Sequence, residues 1–371
     1  MNIVLRPRVR TAARIAILQR VLFVGAGFLA AWFLAPGRGL LDEGILDMWT
    51  RLDATRFAGI AEHGYASPSD PNAPAYFPLL PFLMAGARAI RLDPIVAAMS
   101  INTIAVFVAF VYLHRLVEEE FDPETARRAV WYLAFFPTAV FLVAPYSEPL
   151  FLAGAIPAFY YARRQRWHLV GLPAAVACAA RFAGVFLLFG LAVEFLQQRS
   201  FSRQRVATAS VSLLTGALPI AIFFFYLWRV TGSAWRFFEA QRHGWGRAFV
   251  GPFRSLATTW ETWTGSHFFT NQLIAWRVEI VAAALGIALV VWALIKREWG
   301  YAAYMGAMHG ALITSSWYYS IPRAMLTMFP AAIFMATHTK RKPHRHEPLL
   351  IAFASVAMFG VIVYTRDHWF F

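Results

Sequence analysis

The sequence predicts an all-α, polytopic membrane protein. Of its 371 residues 59% are hydrophobic and 15% charged, and short basic clusters separate the apolar runs. No soluble domain has an interior large enough for so much apolar matter, so lipid must take the remainder. Runs such as Leu213 to Trp228, Ala282 to Ile295 and Leu349 to Tyr364 are nearly free of charge. With their flanks they are long enough to cross a hydrocarbon core of roughly 30 Å as helices. Helices and closed barrels satisfy their own backbone in lipid, and these runs lack the period-two alternation of barrel strands.

In chain order the runs fall near 15–35, 95–114, 129–144, 148–163, 168–180, 182–196, 207–230, 277–295, 299–317, 320–337 and 348–364, about eleven crossings. Arg6, Arg8, Arg10, Arg14 and Arg20 lead into the first run, read as a transmembrane helix because further spans follow it and no cleavage site stands out. Several runs between 129 and 196 are short, and Pro137, Pro145, Pro149 and Pro173 interrupt them. Shortened, tilted or re-entrant helices are expected there. The whole chain, 1–371, reads as one membrane domain with outer segments at 36–94 and 231–276.

The net charge of +14 sits mostly in the clusters that separate the runs, among them Arg163-Arg164-Gln165-Arg166, Arg199 to Arg205, Lys296-Arg297 and Lys340-Arg341-Lys342. This charge is read as topology rather than as a nucleic-acid surface. By the positive-inside rule the clusters and the N-terminus face the cytoplasm, and Arg366-Asp367-His368-Trp369 lies outside. Short outer loops without an Asn-x-Ser/Thr pattern favour a bacterial plasma membrane. The single cysteine, Cys178, excludes an internal disulfide and suggests no zinc site. His63, His243, His267 and His309 lack metal-ligand spacing, so neither metal nor cofactor is expected.

The first outer segment carries the most chemistry. Met48 to Tyr65 sets charges among Trp49, Leu52, Phe57 and Ile60, the pattern of a short interfacial helix. Asp53 precedes Arg56 by one helical turn, which suits a surface ion pair of small worth or part of a site. Glu62, His63, Tyr65, Asn72, Tyr76 and Phe77 follow in the same loop. Aromatics beside a carboxylate suit sugar binding, and equally an aromatic belt at the membrane surface. The second outer segment, rich in Trp, Phe and Arg, reads as an amphipathic interfacial helix or as an acceptor-binding surface.

At these residues the sequence resembles the glycosylphosphatidylinositol mannosyltransferase 2 (PIG-V) family and its bacterial relatives, members of the GT-C membrane glycosyltransferases. The resemblance runs through RLDATRFAGIAEHGY, AYFPLLP, FFPTAVFLVAPYSEPLFL, RFAGV and SIPRAMLTMFP, five patches in family order between positions 51 and 330. Leu52 stands where a Trp often precedes the Asp, Phe182-Ala183 replace Ser-Asn, and Ala324 replaces a Tyr. These departures bear on donor or acceptor identity more than on reaction class. The resemblance implies a GT-C fold and inverting transfer of mannose from a polyprenyl-phosphate carrier to a lipid or glycolipid acceptor on the outer face of the membrane. Asp53 matches the acidic base of the first outer loop.

An inverting transfer needs a carboxylate within reach of the attacking hydroxyl, and Glu62 and Glu148 compete with Asp53 for that part. Glu148, beside Ser147 and Tyr146 in the Tyr-Ser-Glu stretch, suits either a substrate contact or a helix N-terminus. The phosphate leaving group needs cations. Arg181 and Arg323, placed near the outer boundary, are the candidates, with snorkelling or pairing to an acid as the plain alternatives. Arg56, Glu62, His63, Tyr65, Tyr76, Tyr146 and Glu148 are the candidate substrate contacts. A transporter or flippase is the rival reading, but it should show a repeat around a midplane site, and the sequence has none.

Overall fold

The computed structural model describes residues 7–33, 44, 46–199, 201–265, 270–368 and 370. Arg6, residues 36–43, His267 and Trp369, read above, lie outside them. The described residues form α1 (Pro7–Phe33), α2 (Asp53–His63), α3 (Leu79–Ala89), α4 (Pro94–Glu120), α5 (Pro123–Ala134), α6 (Glu148–Arg163), α7 (Gly171–Ala180), α8 (Gly184–Gln197), α9 (Arg203–Thr231), α10 (Arg236–Trp245), α11 (Pro252–Gly265), α12 (Thr270–Ile295), α13 (Trp299–Ile313), α14 (Ile321–Thr327), α15 (Pro330–Arg341) and α16 (His346–Thr365). One bridged pair, Phe249 with Ser315, is the extent of β structure among them. The all-α class predicted from composition is therefore observed.

Among the described residues five stretches are long and apolar enough to cross a membrane: α1, α4, α9, Ala275–Ile295 of α12, and Pro343–Thr365, which takes in α16. Sequence reading counts about eleven runs, and the difference lies in the shorter ones. The run near 129–144 stops being α-helical at Ala134 and continues as a 3-10 turn over Ala139–Leu142. The run near 320–337 divides into α14 and α15 at Pro330, whose ring cannot continue a helix interior.

The chain forms two compact units. The first comprises residues 1–62, 79–160 and 329–370. Its helix starts are chemically marked. Asp93 accepts from the Ile95 and Val96 N–H groups at 2.8 and 3.0 Å, followed by Pro94 at the first helical position. Asp122 does the same for α5 through Glu124 and Thr125, and also receives Lys340 Nζ at 2.8 Å. Arg128 donates to the Thr339 carbonyl at 2.7 Å, and Arg8 lies 3.8 Å from Glu119. The start of α1, the α4–α5 turn and the end of α15 thus share one end of this unit.

The second unit comprises residues 63–78 and 161–328. Helix α9 exposes Val211, Leu214, Leu218, Ile222 and Phe225 along one stripe and buries Ala209, Ser212, Gly216, Phe223 and Leu227 on another. The exposed stripe is apolar, as lipid contact requires. Small residues permit close packing on the buried side. A Cβ at Gly216 would come within 2.9 Å of the Ala174 Cβ on α7, and one at Gly190 within 2.6 Å of the Tyr304 Cβ on α13. At one end Arg163 pairs with Glu298 at 2.8 Å and lies over the Tyr301 ring, and Gln198 donates to the Ala162 carbonyl.

Asp122 supplies a testable consequence. The hydrogen bond from Lys340, with that from Thr125, holds its carboxyl well below the ordinary carboxylate range. Its contribution is therefore fully present above the unfolded value near 4 and is lost as pH falls toward the lowered native value. Asp122→Ala should cost about 1 kcal/mol at neutral pH through loss of the cap. In melts of the detergent-solubilised protein the gap between wild type and variant should narrow progressively as pH falls below about 4. A gap that does not change with pH would show that the carboxylate charge contributes nothing.

Candidate functional site

Asp53 is the first residue of α2, where the unsatisfied N–H groups present partial positive charge to a carboxylate. The helix is short and amphipathic. It buries Ala54, Phe57 and Ile60 at helical spacing and leaves Asp53 and Arg56 half-exposed. Leu52, immediately before it, has φ of 52°, a left-handed conformation that costs a non-glycine residue about 1–3 kcal/mol. Surrounding contacts hold it there. The Asp53 N–H donates to the Tyr146 hydroxyl at 3.2 Å. On the other side of Leu52, the Tyr364 hydroxyl is shared between the Trp49 and Arg51 carbonyls at 2.9 and 3.2 Å.

Tyr146 is itself fixed. Its ring packs against Phe141, Tyr364 and Phe57 with centroids 4.8, 5.8 and 6.4 Å away. The buried Asn102 amide donates to the Ala144 and Tyr146 carbonyls at 2.7 and 3.0 Å. Gln19 donates to the Ala134 carbonyl at 2.5 Å and Arg20 to the Leu142 carbonyl at 2.7 Å. These side chains satisfy the irregular backbone between α5 and α6, which would otherwise carry unpaired groups. Glu148 opens α6 and is fully buried. Glu62 lies at the far end of α2 in an exposed ion pair with Arg88 at 2.7 Å.

In the second unit His63 is exposed. Tyr65 and Tyr76 are packed as core side chains, Tyr65 against Phe223 and Tyr226, and Tyr76 against Trp245. Arg181 follows α7 in extended backbone. Its neighbour Phe182 stacks on Phe237 with centroids 5.0 Å apart and meets Phe77 at 6.1 Å. The aromatic that departs from the family pattern therefore belongs to an aromatic cluster. Arg323 lies in the first turn of α14.

Two residues that sequence reading passed over join these arginines. Arg247, between α10 and α11, lies within electrostatic range of Arg181, Arg323 and Glu279. Burial, reinforced by the two arginines, pulls its guanidinium below the ordinary value, although arginine stays charged throughout the accessible range. Glu279 is fully buried on α12, and its two oxygens accept the Ser320 and Ile321 N–H groups at 2.6 and 2.8 Å. It is the one acidic residue of that helix, a signal present in the sequence because an acid in an apolar run is expensive without a partner. Among the described residues no group of three His, Cys, Asp or Glu side chains is arranged to hold a metal ion.

Residues 40–228, just over half of the 371-residue chain, match the family described as mannosyltransferase (PIG-V). The chain belongs to this family. Asp53, Tyr146, Glu148 and Arg181 lie inside the matched stretch, and Arg247, Glu279 and Arg323 lie beyond it. No curated protein matches the chain. Two solved structures of an Archaeoglobus fulgidus oligosaccharyltransferase are similar to it. One, in complex with Zn and sulfate, is 14% identical with a TM-score of 0.46 over 94% of this chain and 53% of that chain. The other, tethered to an acceptor peptide, is 13% identical with a TM-score of 0.44 over 95% and 55%. The chain thus spans about half the length of the solved structures it matches.

The Tyr364 anchor can be tested without an activity assay. Tyr364→Phe should leave the Trp49 carbonyl without its donor and the Arg51 carbonyl with the Ala54 N–H alone, cost about 1 kcal/mol, and speed tryptic cleavage after Arg51 and Arg56. Cleavage at the wild-type rate would show that the hydroxyl does not hold this backbone.

Proposed function

We propose that the protein is an inverting glycosyltransferase that moves mannose, or a related hexose, from a polyprenyl-phosphate carrier to a hydroxyl of a lipid or glycolipid on the extracytoplasmic side of a membrane. The observation that carries the reading is the placement of Asp53. It is a half-exposed carboxylate at a helix start, behind a strained Leu52 and tied to a buried tyrosine, inside the stretch that matches the mannosyltransferase family.

In this mechanism the acceptor hydroxyl hydrogen-bonds to the Asp53 carboxylate. As the acceptor oxygen bonds to the anomeric carbon, its proton passes to Asp53. The bond between that carbon and the phosphate oxygen breaks on the opposite side, and its electron pair stays on the phosphate. The carrier phosphate changes from a singly charged diester to a doubly charged monoester, so cations that meet the second charge stabilise the transition state. Arg181 and Arg323 take this part. Arg56, half-exposed one turn after Asp53, contacts substrate, and the buried Tyr146 and Glu148 support the site from behind. Glu62, exposed and paired with Arg88, is the weaker candidate for the base.

The basic clusters that each unit gathers at one end support an N-terminus in the cytoplasm and a site on the other side.

The test is transfer of labelled mannose from synthetic polyprenyl-phosphate mannose to total membrane lipid by the purified protein. Wild type should produce a labelled lipid, and Asp53→Asn should lower the rate by about 10²–10⁴-fold. Arg181→Gln and Arg323→Gln should weaken donor use. A wild-type rate in Asp53→Asn would remove Asp53 as the base, and Glu148→Gln would then be decisive.

A further inference from the structure

The loop between α13 and α14 is held from three directions within its own unit. Along the segment between α10 and α11, the Val250 N–H donates to the Thr314 carbonyl at 2.8 Å, the Ala248 N–H to Ser316 Oγ at 3.0 Å, and Trp317 Nε1 to the Trp245 carbonyl at 3.2 Å. From α11, Thr259 Oγ1 accepts the Tyr318 N–H at 2.8 Å. From α12, Glu279 takes the next two N–H groups, those of Ser320 and Ile321. Ser320 has φ of 61°, a left-handed turn that is costly for serine unless its surroundings impose it. The paired hydrogen bonds to a buried carboxylate impose it, and they cap the turn that carries Arg323.

Arg247 sits in the same stitching. One guanidinium nitrogen reaches the Tyr319 carbonyl at 3.4 Å, a long bond, and its Nε is enclosed with no hydrogen-bond partner among the described residues. Guanidinium has five N–H donors in a planar fork matched to phosphate. Leaving the charged Nε donor enclosed and unused is costly, more so than for a neutral group. Glu279 lies within electrostatic range and offsets part of the charge, but it makes no hydrogen bond to this guanidinium; its oxygens accept backbone N–H groups at 2.6 and 2.8 Å. A partner that presents several anionic oxygens would satisfy the fork, and the closeness of Arg181 and Arg323 makes a phosphate group the fitting chemistry.

We infer that Arg247 is a third cation directed at the donor phosphate, and that Glu279 is the positioning residue that fixes both the Arg247-bearing loop contact and the α14 turn carrying Arg323. The inference rests on the phosphate-linked donor proposed above and deepens it. Arg247 lies in the second outer segment, which sequence reading offered to the acceptor. The geometry moves this residue to the leaving group. Glu279 touches no substrate. It acts through the Ser320–Ile321 backbone, so its loss should change affinity for the phosphate rather than the proton-transfer step.

The experiment measures inhibition of full-length protein by free polyprenyl phosphate, KM for polyprenyl-phosphate mannose, and thermal stabilisation by polyprenyl phosphate in the absence of turnover. Arg247→Gln should raise the inhibition constant and KM tenfold or more, with the doubly charged free phosphate affected most, and Arg247→Lys should recover part of the loss. Glu279→Gln should raise the same two constants and leave the pH profile of kcat as in wild type. If wild type transfers mannose and Asp53→Asn does not, yet Arg247→Gln and Glu279→Gln bind polyprenyl phosphate as wild type does, the inference alone fails. If Glu279→Gln only lowers the melting temperature with both constants unchanged, its role is structural and the positioning claim is overturned. Should wild type transfer nothing, the mannosyl reading fails. Stabilisation by polyprenyl phosphate that is present in wild type and lost in Arg247→Gln would still uphold the phosphate site, and equal stabilisation in both would sink it. Where Arg247→Gln does not insert, the same comparisons are read on Arg247→Lys.

Discussion

In hydrocarbon a peptide group has no water to turn to, so every interruption of a helix must be satisfied by protein. Each unit of this chain has such an interruption. In the first, the irregular backbone between α5 and α6 takes donors from Gln19 and Arg20 of α1 and Asn102 of α4. In the second, the loop before α14 gives its N–H groups to Glu279 on α12. The chemistry is complementary, with donors sent to orphan carbonyls in one case and a carboxylate sent to orphan N–H groups in the other. The functional candidates sit on the backbone that these side chains hold, Tyr146 and Glu148 in the first unit and Arg323 in the second.

Such supports also explain why conformations as costly as those of Leu52 and Ser320 persist. Left-handed backbone at a β-carbon-bearing residue survives where neighbouring bonds leave no cheaper arrangement. At Leu52 those bonds come from two tyrosine hydroxyls, and at Ser320 from one carboxylate. In both places the bend precedes a short helix whose first turn bears a charged candidate, Asp53 or Arg323. Rigid placement of charge before substrate arrives is what electrostatic catalysis requires, since reorganisation then costs little at the reacting moment.

The helical class and a short amphipathic helix containing Asp53 were legible because they rest on local pattern: long apolar runs, basic clusters, charges set among apolar residues; the structure opens that helix at Asp53 rather than at Met48. Length was harder to read. The runs near 129–144 and 320–337 look like spans by composition; Asn102 satisfies the backbone where the first breaks, the second divides at Pro330, and Glu279 holds the backbone at its start. Both residues were visible as lone polar groups in apolar runs, but their partners were not. Arg247 gave no local signal at all, since an arginine in a polar, aromatic loop looks like many others. Its enclosure comes from pairing between residues 245–250 and 314–319, a match no periodicity encodes. Tyr65 and Tyr76 illustrate the converse, aromatics that suit a sugar by type and instead fill a core.

The hydroxyl that ties down the approach to Asp53 belongs to Tyr364, 315 residues after the Trp49 carbonyl it holds. During synthesis α2 therefore emerges and reaches the membrane long before its anchor exists. The intervening chain must be threaded and packed before the two can meet. Until α16 takes its place, the Trp49 carbonyl in the backbone that leads into Asp53 has only water or lipid head groups as partners. A growing chain that lacks α16 thus carries Asp53 without the full set of contacts that fix its approach. Competence in this protein therefore waits for α16 to pack in the first unit.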